Sequence, residues 1–258
     1  MKRSLNLCVA ILFGATLAMA SSMAFAGIVL SDDFSSPDGP LEGTTPDIST
    51  GNWTETASAA TPIQIASGAA LVKSSGQDEF AAFTTSVPNV AGNGIKTSLD
   101  INVSAAQATG DYFSHLSNPA GTTFNFYQRL FARSATGGFQ LGLVDTSGTG
   151  STTTWGTTVL SLNAPYHVDV NWNFIAGGNN DAFTVSVDSL PYLAHTWTSV
   201  TAEPAQLAAG NLRQGSASNA PTLAVDNLVV STIPIPEPTT LVASLIGLVS
   251  FAFRRRRV

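Results

Sequence analysis

One stretch of the sequence decides the fold class: Tyr166-His167-Val168-Asp169-Val170-Asn171-Trp172-Asn173-Phe174. Apolar side chains occupy every second position, and a histidine, an aspartate and two asparagines occupy the positions between them. A period of two is that of a β-strand with one face in a core and the other in solvent. Turn-forming residues follow at 177–181 and the alternation resumes over 183–187, so the two segments predict a β-hairpin.

The same alternation recurs along most of the chain. Residues 95–103 form a clear stripe, and a second predicted hairpin joins 124–132 to 139–144. Further strands are predicted near 28–30, 63–65, 69–72, 80–87, 159–162 and 222–230. Only residues 204–209, where alanine, glutamine and leucine follow a proline, favour a helical turn. Many short strands between Gly, Asn and Pro turns predict one all-β domain over 27–233, a single antiparallel β-sandwich.

Charge is scarce and unevenly distributed. The 258 residues include 11% charged residues and carry a formal net charge of −6, yet six of the 11 basic residues lie at the two ends. Residues 27–236 hold five basic residues against 16 carboxylates, a formal charge of −11. Nucleic acids and anionic membrane surfaces need clustered cations, so this composition argues against both as partners of the body.

The first 26 residues have the pattern of a cleaved secretory signal helix. Two basic residues precede an apolar stretch over 7–19, and Ala24 and Ala26 stand at positions −3 and −1 before Gly27. The apolar stretch is shorter than the ~20 residues that a membrane-spanning helix needs, which favours cleavage over anchoring. Cys8 is the only cysteine and lies in this segment, so the mature chain is predicted to lack disulfides and thiolate chemistry.

Residues 234–258 combine three parts. A proline-rich stretch contains Pro236, Glu237 and Pro238, an apolar run covers 241–253, and Arg254, Arg255, Arg256 and Arg257 follow. Prolines keep the first part extended and accessible. As a helix the apolar run would extend ~20 Å, and arginines snorkelling on the cytoplasmic side can help it cross a ~30 Å hydrocarbon core. Taken alone, these features also fit an ordinary weak tail anchor.

Together the three parts resemble the PEP-CTERM sorting signal of exported bacterial proteins. In that family a membrane protease, exosortase, is thought to recognise the Pro-Glu-Pro element and to cut near it. The resemblance implies that Pro236, Glu237 and Pro238 are recognised by another enzyme, while the four arginines hold the chain in the inner membrane until processing. It also implies surface display and an association with exopolysaccharide or biofilm.

The sequences at the two ends of the body indicate which type of β-sandwich it forms. Residues 29–34 read Val-Leu-Ser-Asp-Asp-Phe, and residues 223–230 read Leu-Ala-Val-Asp-Asn-Leu-Val-Val. These two segments resemble the first and last strands of concanavalin-like and laminin-G-like jelly rolls, in which the two ends of the chain pair in one sheet. The resemblance implies a jelly-roll β-sandwich.

No arrangement of residues predicts a catalytic centre. A retaining glycosidase needs two carboxyl groups ~5 Å apart, which positions i and i+2 of one strand can supply. Asp78 and Glu79 are adjacent, so in a strand they would point to opposite faces. A polysaccharide lyase on this fold would need tyrosine, histidine and arginine on one face; only Tyr127 and Arg129 could share one, and no histidine pairs with them by spacing. The expectation is therefore a protein that is not an enzyme.

The polar side of residues 166–174 is the main candidate for binding a ligand. If it lies on a concave sheet, its side chains could bind sugar hydroxyls beside aromatic rings: His167, Asp169, Asn171 and Asn173. The same pattern is typical of the solvated outer face of a sandwich strand, and the sequence favours that interpretation. His115 and His195 are isolated in sequence and are predicted to be structural.

A calcium site is the only metal site that the sequence leaves open. Asp32 and Asp33 would approach Asp226 and Asn227 if the terminal strands pair, and oxygen-rich clusters suit Ca²⁺. An ordinary cluster at a turn and a strand end explains the same residues as well. No other cofactor is predicted.

These observations predict an exported protein of the cell envelope or extracellular matrix. Its body would be a surface or binding module without catalytic activity, associated with polysaccharide and not with nucleic acid. Its partners during export would be signal peptidase, exosortase and the inner membrane. Two alternatives stay open: a polysaccharide-active enzyme, lyase or glycosidase, whose residues are dispersed across strands, and a purely structural coat component.

Overall fold

The computed structural model describes residues 27–56, 61–73, 75–76, 78–120, 123–216 and 218–234. The predicted signal, with Ala24 and Ala26, and the predicted sorting tail from residue 235 onward lie outside the described residues. Strands, turns and bends make up the described part of the chain, which contains no helix. Within those ranges, accordingly, no helix has the length and hydropathy needed to span a membrane.

Sixteen strands are defined within these residues. In chain order they are β1 (Ile28–Asp32), β2 (Gly39–Pro40), β3 (Thr54–Glu55), β4 (Gln64–Ile65), β5 (Ala70–Val72), β6 (Glu79–Pro88), β7 (Asn93–Ala105), β8 (Asp111–Ala120), β9 (Thr123–Ala135), β10 (Gly138–Thr146), β11 (Thr154–Trp155), β12 (Pro165–Asn173), β13 (Ala182–Val187), β14 (Leu190–Thr196), β15 (Gln206–Leu212) and β16 (Thr222–Pro234).

The strands form two antiparallel sheets. Sheet I has the order β14-β13-β12-β7-β16-β5-β4-β2, and β1 pairs with the same edge of β16 as β5. Sheet II has the order β11-β10-β9-β8-β15-β6-β3. Neighbouring strands often come from distant parts of the chain, as in a jelly-roll sandwich. The predicted all-β sandwich is confirmed.

The core lies between the sheets and takes alternate residues from each strand. In β12, Val168, Val170 and Trp172 are buried, as the period of two predicts. The ring of Trp172 lies 4.9 Å from that of Phe183 and 6.0 Å from that of Trp197, measured between centroids. Burying each large apolar side chain contributes roughly 1.5–3 kcal/mol, so this cluster is a main source of stability.

The predicted pairings of strands are confirmed. Strand β12 pairs with β13 and β9 pairs with β10, both as hairpins. Strand β1 pairs with β16, which brings the two ends of the body together in sheet I. The amide of Thr232 donates to the carbonyl of Gly27 at 2.9 Å, while Pro234 lies opposite Asn93. The sixteen strands defined among the described residues all belong to the two sheets of the sandwich.

Two local predictions are wrong. Residues 204–209 do not form a helical turn, because Gln206 begins β15, which pairs with β6 on one side and β8 on the other. Leu207 and Ala209 are buried in that strand, and pairing on both edges outweighs a weak helical propensity. Residues 159–162 do not form a strand either, although Leu160 makes a single bridge to Phe139.

Candidate functional site

The predicted ligand face lies on the outer surface of sheet I. His167 Nδ1 is 2.6 Å from Asp100 Oδ1, and His167 Nε2 is 3.3 Å from Asp169 Oδ1. Asp169 also accepts from Ser98 and forms an ion pair with Lys96, with 2.9 Å between Nζ and Oδ1. The hydrogen bond to Asp100 raises the pKa of the exposed His167. Most of these polar groups therefore already bind one another across β7 and β12.

One end of this face borders a cavity. A depression of about 480 Å³ is lined by His167, Tyr166, Asn102 and the carboxylates Asp100, Asp188 and Asp226, with Ala69, Ile101, Pro165 and Ala224 completing it. Asp169, Asn171 and Asn173 do not line it. The interpretation of β12 as a solvated strand face thus accounts for most of the predicted ligand residues.

The four residues proposed for calcium divide between two clusters. Buried Asp32 accepts from Trp53 Nε1 at 2.6 Å and from the amide of Phe34 at 2.7 Å. Asp33 and Asp47 lie beside it, with ligand atoms of the three residues within 4.8 Å of one another. Asn227 instead donates to Asp100 at 2.8 Å, and Asp226 accepts from the Asn227 amide. Calcium binding at this edge stays a prediction.

A different group of side chains lies together on the outer surface of sheet II. Because Leu130 and Ala132 of β9 face the core, the residues between and beside them face outward. We call this group the arginine face: Tyr112 and His115 of β8, Arg129, Phe131 and Arg133 of β9, Trp155 of β11, and Arg213 just after β15.

The arginines of this face lie over aromatic rings. The guanidinium carbon of Arg213 is 4.0 Å from the ring centroid of Tyr112, and that of Arg129 is 5.1 Å from the same centroid. Arg133 lies 4.2 Å from the centroid of Trp155. Such contacts hold guanidinium groups and rings in fixed, flat arrangements and contribute about 0.5–2 kcal/mol each.

The three arginines differ in how their charge is compensated. Arg213 pairs with Asp111 at 2.8 Å and with Asp78 at 3.4 Å. Burial raises the pKa of Asp78 to about 6 despite that ion pair. Arg133 donates to Gln140 Oε1 at 2.9 Å, and Arg129 donates to the carbonyl of Thr146. No described carboxylate forms an ion pair with Arg129 or Arg133.

Several buried polar atoms on the same side of sheet II have no hydrogen-bond partner. They are both ring nitrogens of His115, Oδ1 of Asn211 and Nε of Arg129. His115 is 1% exposed, with its ring centroid 4.6 Å from that of Phe126. Burial, reinforced by Arg213 and Arg129, holds the pKa of His115 well below its usual value, so the ring is neutral at pH 7. Unpaired buried groups are rare in native proteins and mark places with a special role.

Sequence reasoning missed most of this face. Tyr127 and Arg129 do not share a side of the sheet: Gln128 has a φ of 49°, which interrupts the alternation and leaves both Tyr127 and Gln128 inward. Irregularities in β8 turn His115 toward Tyr112, so the histidine that looked isolated lies near Arg129. One sequence pattern does indicate part of this face: Arg129, Phe131 and Arg133 occupy every second position along β9.

No family model matches the chain, and no curated protein matches it. Solved structures with a similar fold include domain 4 of AbnA, a GH43 extracellular arabinanase from Geobacillus stearothermophilus, in complex with arabinotriose. It is 12% identical, with a TM-score of 0.50 over 82% of this chain and 95% of that one. The CBM2 module of Lactobacillus casei BL23 phage J-1 evolved Dit is 12% identical, with a TM-score of 0.48 over 82% and 97%. At this identity the likeness concerns the fold.

Proposed function

We propose that this chain is an exported cell-envelope protein whose body, residues 27–233, binds polysaccharide without cleaving it, and whose tail is processed after export. The observation that carries the binding part is the arginine face, a broad sheet surface that combines partly exposed aromatic rings with guanidinium groups. The export and processing part rests on the two terminal sequence patterns.

Rings and arginines on an open sheet suit a sugar polymer. The C–H faces of sugar rings pack against flat aromatic surfaces, and their hydroxyls accept hydrogen bonds from guanidinium donors. The arginine face crosses sheet II from β11 to β15, which suits an extended chain better than a closed pocket would. Domain 4 of AbnA was solved with arabinotriose, so a fold of this kind accommodates a saccharide.

The same face is poorly arranged for catalysis. A general base must come within hydrogen-bond reach of the proton that it removes, and His115 is enclosed by Tyr112 and Phe126. Asp78 and Asp111 could resemble a glycosidase pair, but both are bound to the guanidinium of Arg213. The carboxylates therefore hold an arginine in place instead of flanking a free substrate position.

A polysaccharide-active enzyme is the second candidate. One observation favours it: Tyr112, His115 and Arg129, the residue types that a polysaccharide lyase needs, lie on one face. Release of unsaturated or reducing sugar ends by the purified protein, abolished by His115→Ala in a variant that remains folded, would establish this candidate and overturn the non-catalytic proposal.

Replacing Trp155 with alanine is expected to weaken binding to a polysaccharide about tenfold, because its ring forms one end of the face and is only partly buried. Affinity electrophoresis of residues 27–236 in gels containing soluble polysaccharides measures this. Leu190→Ala, which truncates a 70% exposed side chain of sheet I, is the matched control and should migrate like the wild type. Equal retardation of all three proteins would remove the arginine face as the binding surface.

Replacing Glu237 with alanine is expected to block processing of the tail, because Pro236, Glu237 and Pro238 are the proposed recognition element. Intact-mass spectrometry of the surface fraction should find wild-type chains that end near Pro236. The variant should keep Arg254, Arg255, Arg256 and Arg257 and remain in the membrane fraction, whereas Asp38→Asn in the body should be processed normally. Wild-type surface protein that still carries the four arginines would contradict this part of the proposal.

A further inference from the structure

The fold gathers the scarce positive charge of the body in one place. Residues 27–234 contain three arginines and two lysines, and all three arginines belong to the arginine face. Lys96 lies on the outer surface of sheet I, where it binds Asp169. Few cations disfavour a polyanionic partner only if they are dispersed over the surface. On sheet II they are clustered.

The cluster is incompletely neutralised. Arg129 and Arg213 both approach the ring of Tyr112, which brings two like charges to one side chain. Only Arg213 forms ion pairs with carboxylates among the described residues, namely with Asp78 before β6 and with Asp111 at the start of β8. Arg129 and Arg133 donate hydrogen bonds to neutral oxygen acceptors, and Asp145 and Asp111 act on Arg129 only from beyond ion-pair distance. Arg129 and Arg213 repel each other at this ring, and an anion bound beside Arg129 would relieve that repulsion.

Unpaired polar atoms give an independent indication at the same place. The Nε of Arg129 is buried without a partner, beside the unpaired ring nitrogens of the fully buried His115. A buried donor or acceptor without a partner costs on the order of 1–3 kcal/mol, so several on one sheet surface are unusual for a purely structural face. Tyr112 and Phe126 enclose the nitrogens of His115, so of these residues only the partly exposed Arg129 can present its guanidinium to a bound ligand.

We propose that the polysaccharide bound by the arginine face is acidic, and that Arg129 and Arg133 receive its anionic groups while Phe131 and Trp155 contact the sugar rings. This inference rests on the proposed binding function and narrows its ligand class. Arg129 and Arg133 are four residues apart on β9, about 14 Å, so they reach different sugar residues of one chain. Guanidinium groups match carboxylate and sulfate in planar, two-point hydrogen bonding.

The experiment compares matched polymers and matched charge removals. Residues 27–236 would be titrated with polygalacturonate, its methyl-esterified neutral form, dextran sulfate and double-stranded DNA, with binding followed by isothermal titration calorimetry. Arg129→Gln and Arg133→Gln remove a positive charge from the face, and Lys96→Gln removes the same charge from sheet I. Thermal unfolding of each variant would verify that it is folded.

We expect polygalacturonate or dextran sulfate to bind at least about tenfold more tightly than the esterified polymer, with Arg129→Gln weakening binding about tenfold and Lys96→Gln leaving it unchanged. Preference for polygalacturonate identifies carboxylate as the anionic group, and preference for dextran sulfate identifies sulfate. Binding of both pectin forms equally, with no effect of Arg129→Gln, overturns the acidic ligand but leaves the binding function. If DNA binds as tightly as the acidic polysaccharides, the proposed acidic ligand is also overturned, because the face then attracts any polyanion. Binding of no polysaccharide removes both proposals.

Discussion

Replacing Asp145 with alanine is expected to lower the free energy of unfolding by about 3–5 kcal/mol, one of the two largest effects that we predict. The side chain is fully buried at the end of β10. One carboxylate oxygen accepts from the amide of Ser199 at 2.9 Å and from both the amide and the hydroxyl of Thr198, and the other accepts from the amide of Thr146 at 2.7 Å. Burial alone would raise the pKa of Asp145, but the contact with His195 and these hydrogen bonds hold it well below its usual value.

The alanine variant leaves the amides of Thr146 and Ser199 buried without an acceptor, and each such group costs more than an ordinary hydrogen bond contributes. Urea unfolding at pH 7, followed by tryptophan fluorescence, measures the loss. Asp38→Ala is the matched control, because exposed Asp38 accepts from the amide of Ser67 at 2.9 Å and its loss should cost less than about 1 kcal/mol. Similar losses in the two variants would show that Asp145 does not organise the loop after β14.

The second large effect is a loss of stability with rising pH that depends on Glu79. Its side chain is fully buried beside β3 and accepts from the amide of Ile63 at 2.9 Å, while Oε2 has no partner. Burial, with the nearby Glu42 and Glu55 adding to it, raises the pKa of Glu79 to about 7 from an ordinary 4.5. Between these two values the folded state keeps a proton that the unfolded state has released. Stability therefore falls as pH rises through this window, and the loss is complete above pH 7.

Glu79→Gln is expected to remove this dependence, and to be more stable than the wild type at pH 8 by up to about 3 kcal/mol. At pH 4 the two proteins should differ little, because the wild-type carboxyl is then largely protonated in both states. Urea unfolding at pH 4 and pH 8 gives the difference between variant and wild type, in which the other titrating groups cancel. Asp188→Asn should show no such gain at pH 8. A variant that is less stable than the wild type at both pH values would contradict the assignment.

Strands with an uninterrupted period of two were predictable from the sequence, and the reason is physical. In β12 one face lies in the core and the other in solvent. Apolar residues are therefore needed at every second position, and this alternation is visible in the sequence. The pairing of β1 with β16 was also predictable, but only through a resemblance, because 195 residues lie between Asp32 and its partner Leu228. Strands β8 and β15 were missed since irregular pairing breaks their pattern.

The arginine face could be predicted only in part. Arg129, Phe131 and Arg133 alternate along one strand, but Tyr112 and Arg213 join them through pairing between β15, β8 and β9. The spacing of residues along the chain does not predict such neighbours, because the order of strands in the sheet brings Arg129 and Arg213 to the ring of Tyr112. The predicted ligand residues of β12 could be found in the sequence for the opposite reason: they belong to one strand, and two of them, His167 and Asp169, contact each other.

The position of the two ends of the body has a mechanical consequence. Gly27 and Thr232 are joined by hydrogen bonds where β1 begins and β16 approaches its end. Because these strands are antiparallel, a force that pulls Gly27 and Pro234 apart would load their hydrogen bonds one after another, as in opening a zipper. A polymer that pulls on sheet II would instead load the sandwich as a whole. In sheet I, β16 is hydrogen-bonded along both edges, to β7 on one and to β5 and β1 on the other. Stretching the body between its two ends would therefore begin to open it at the β1–β16 pair.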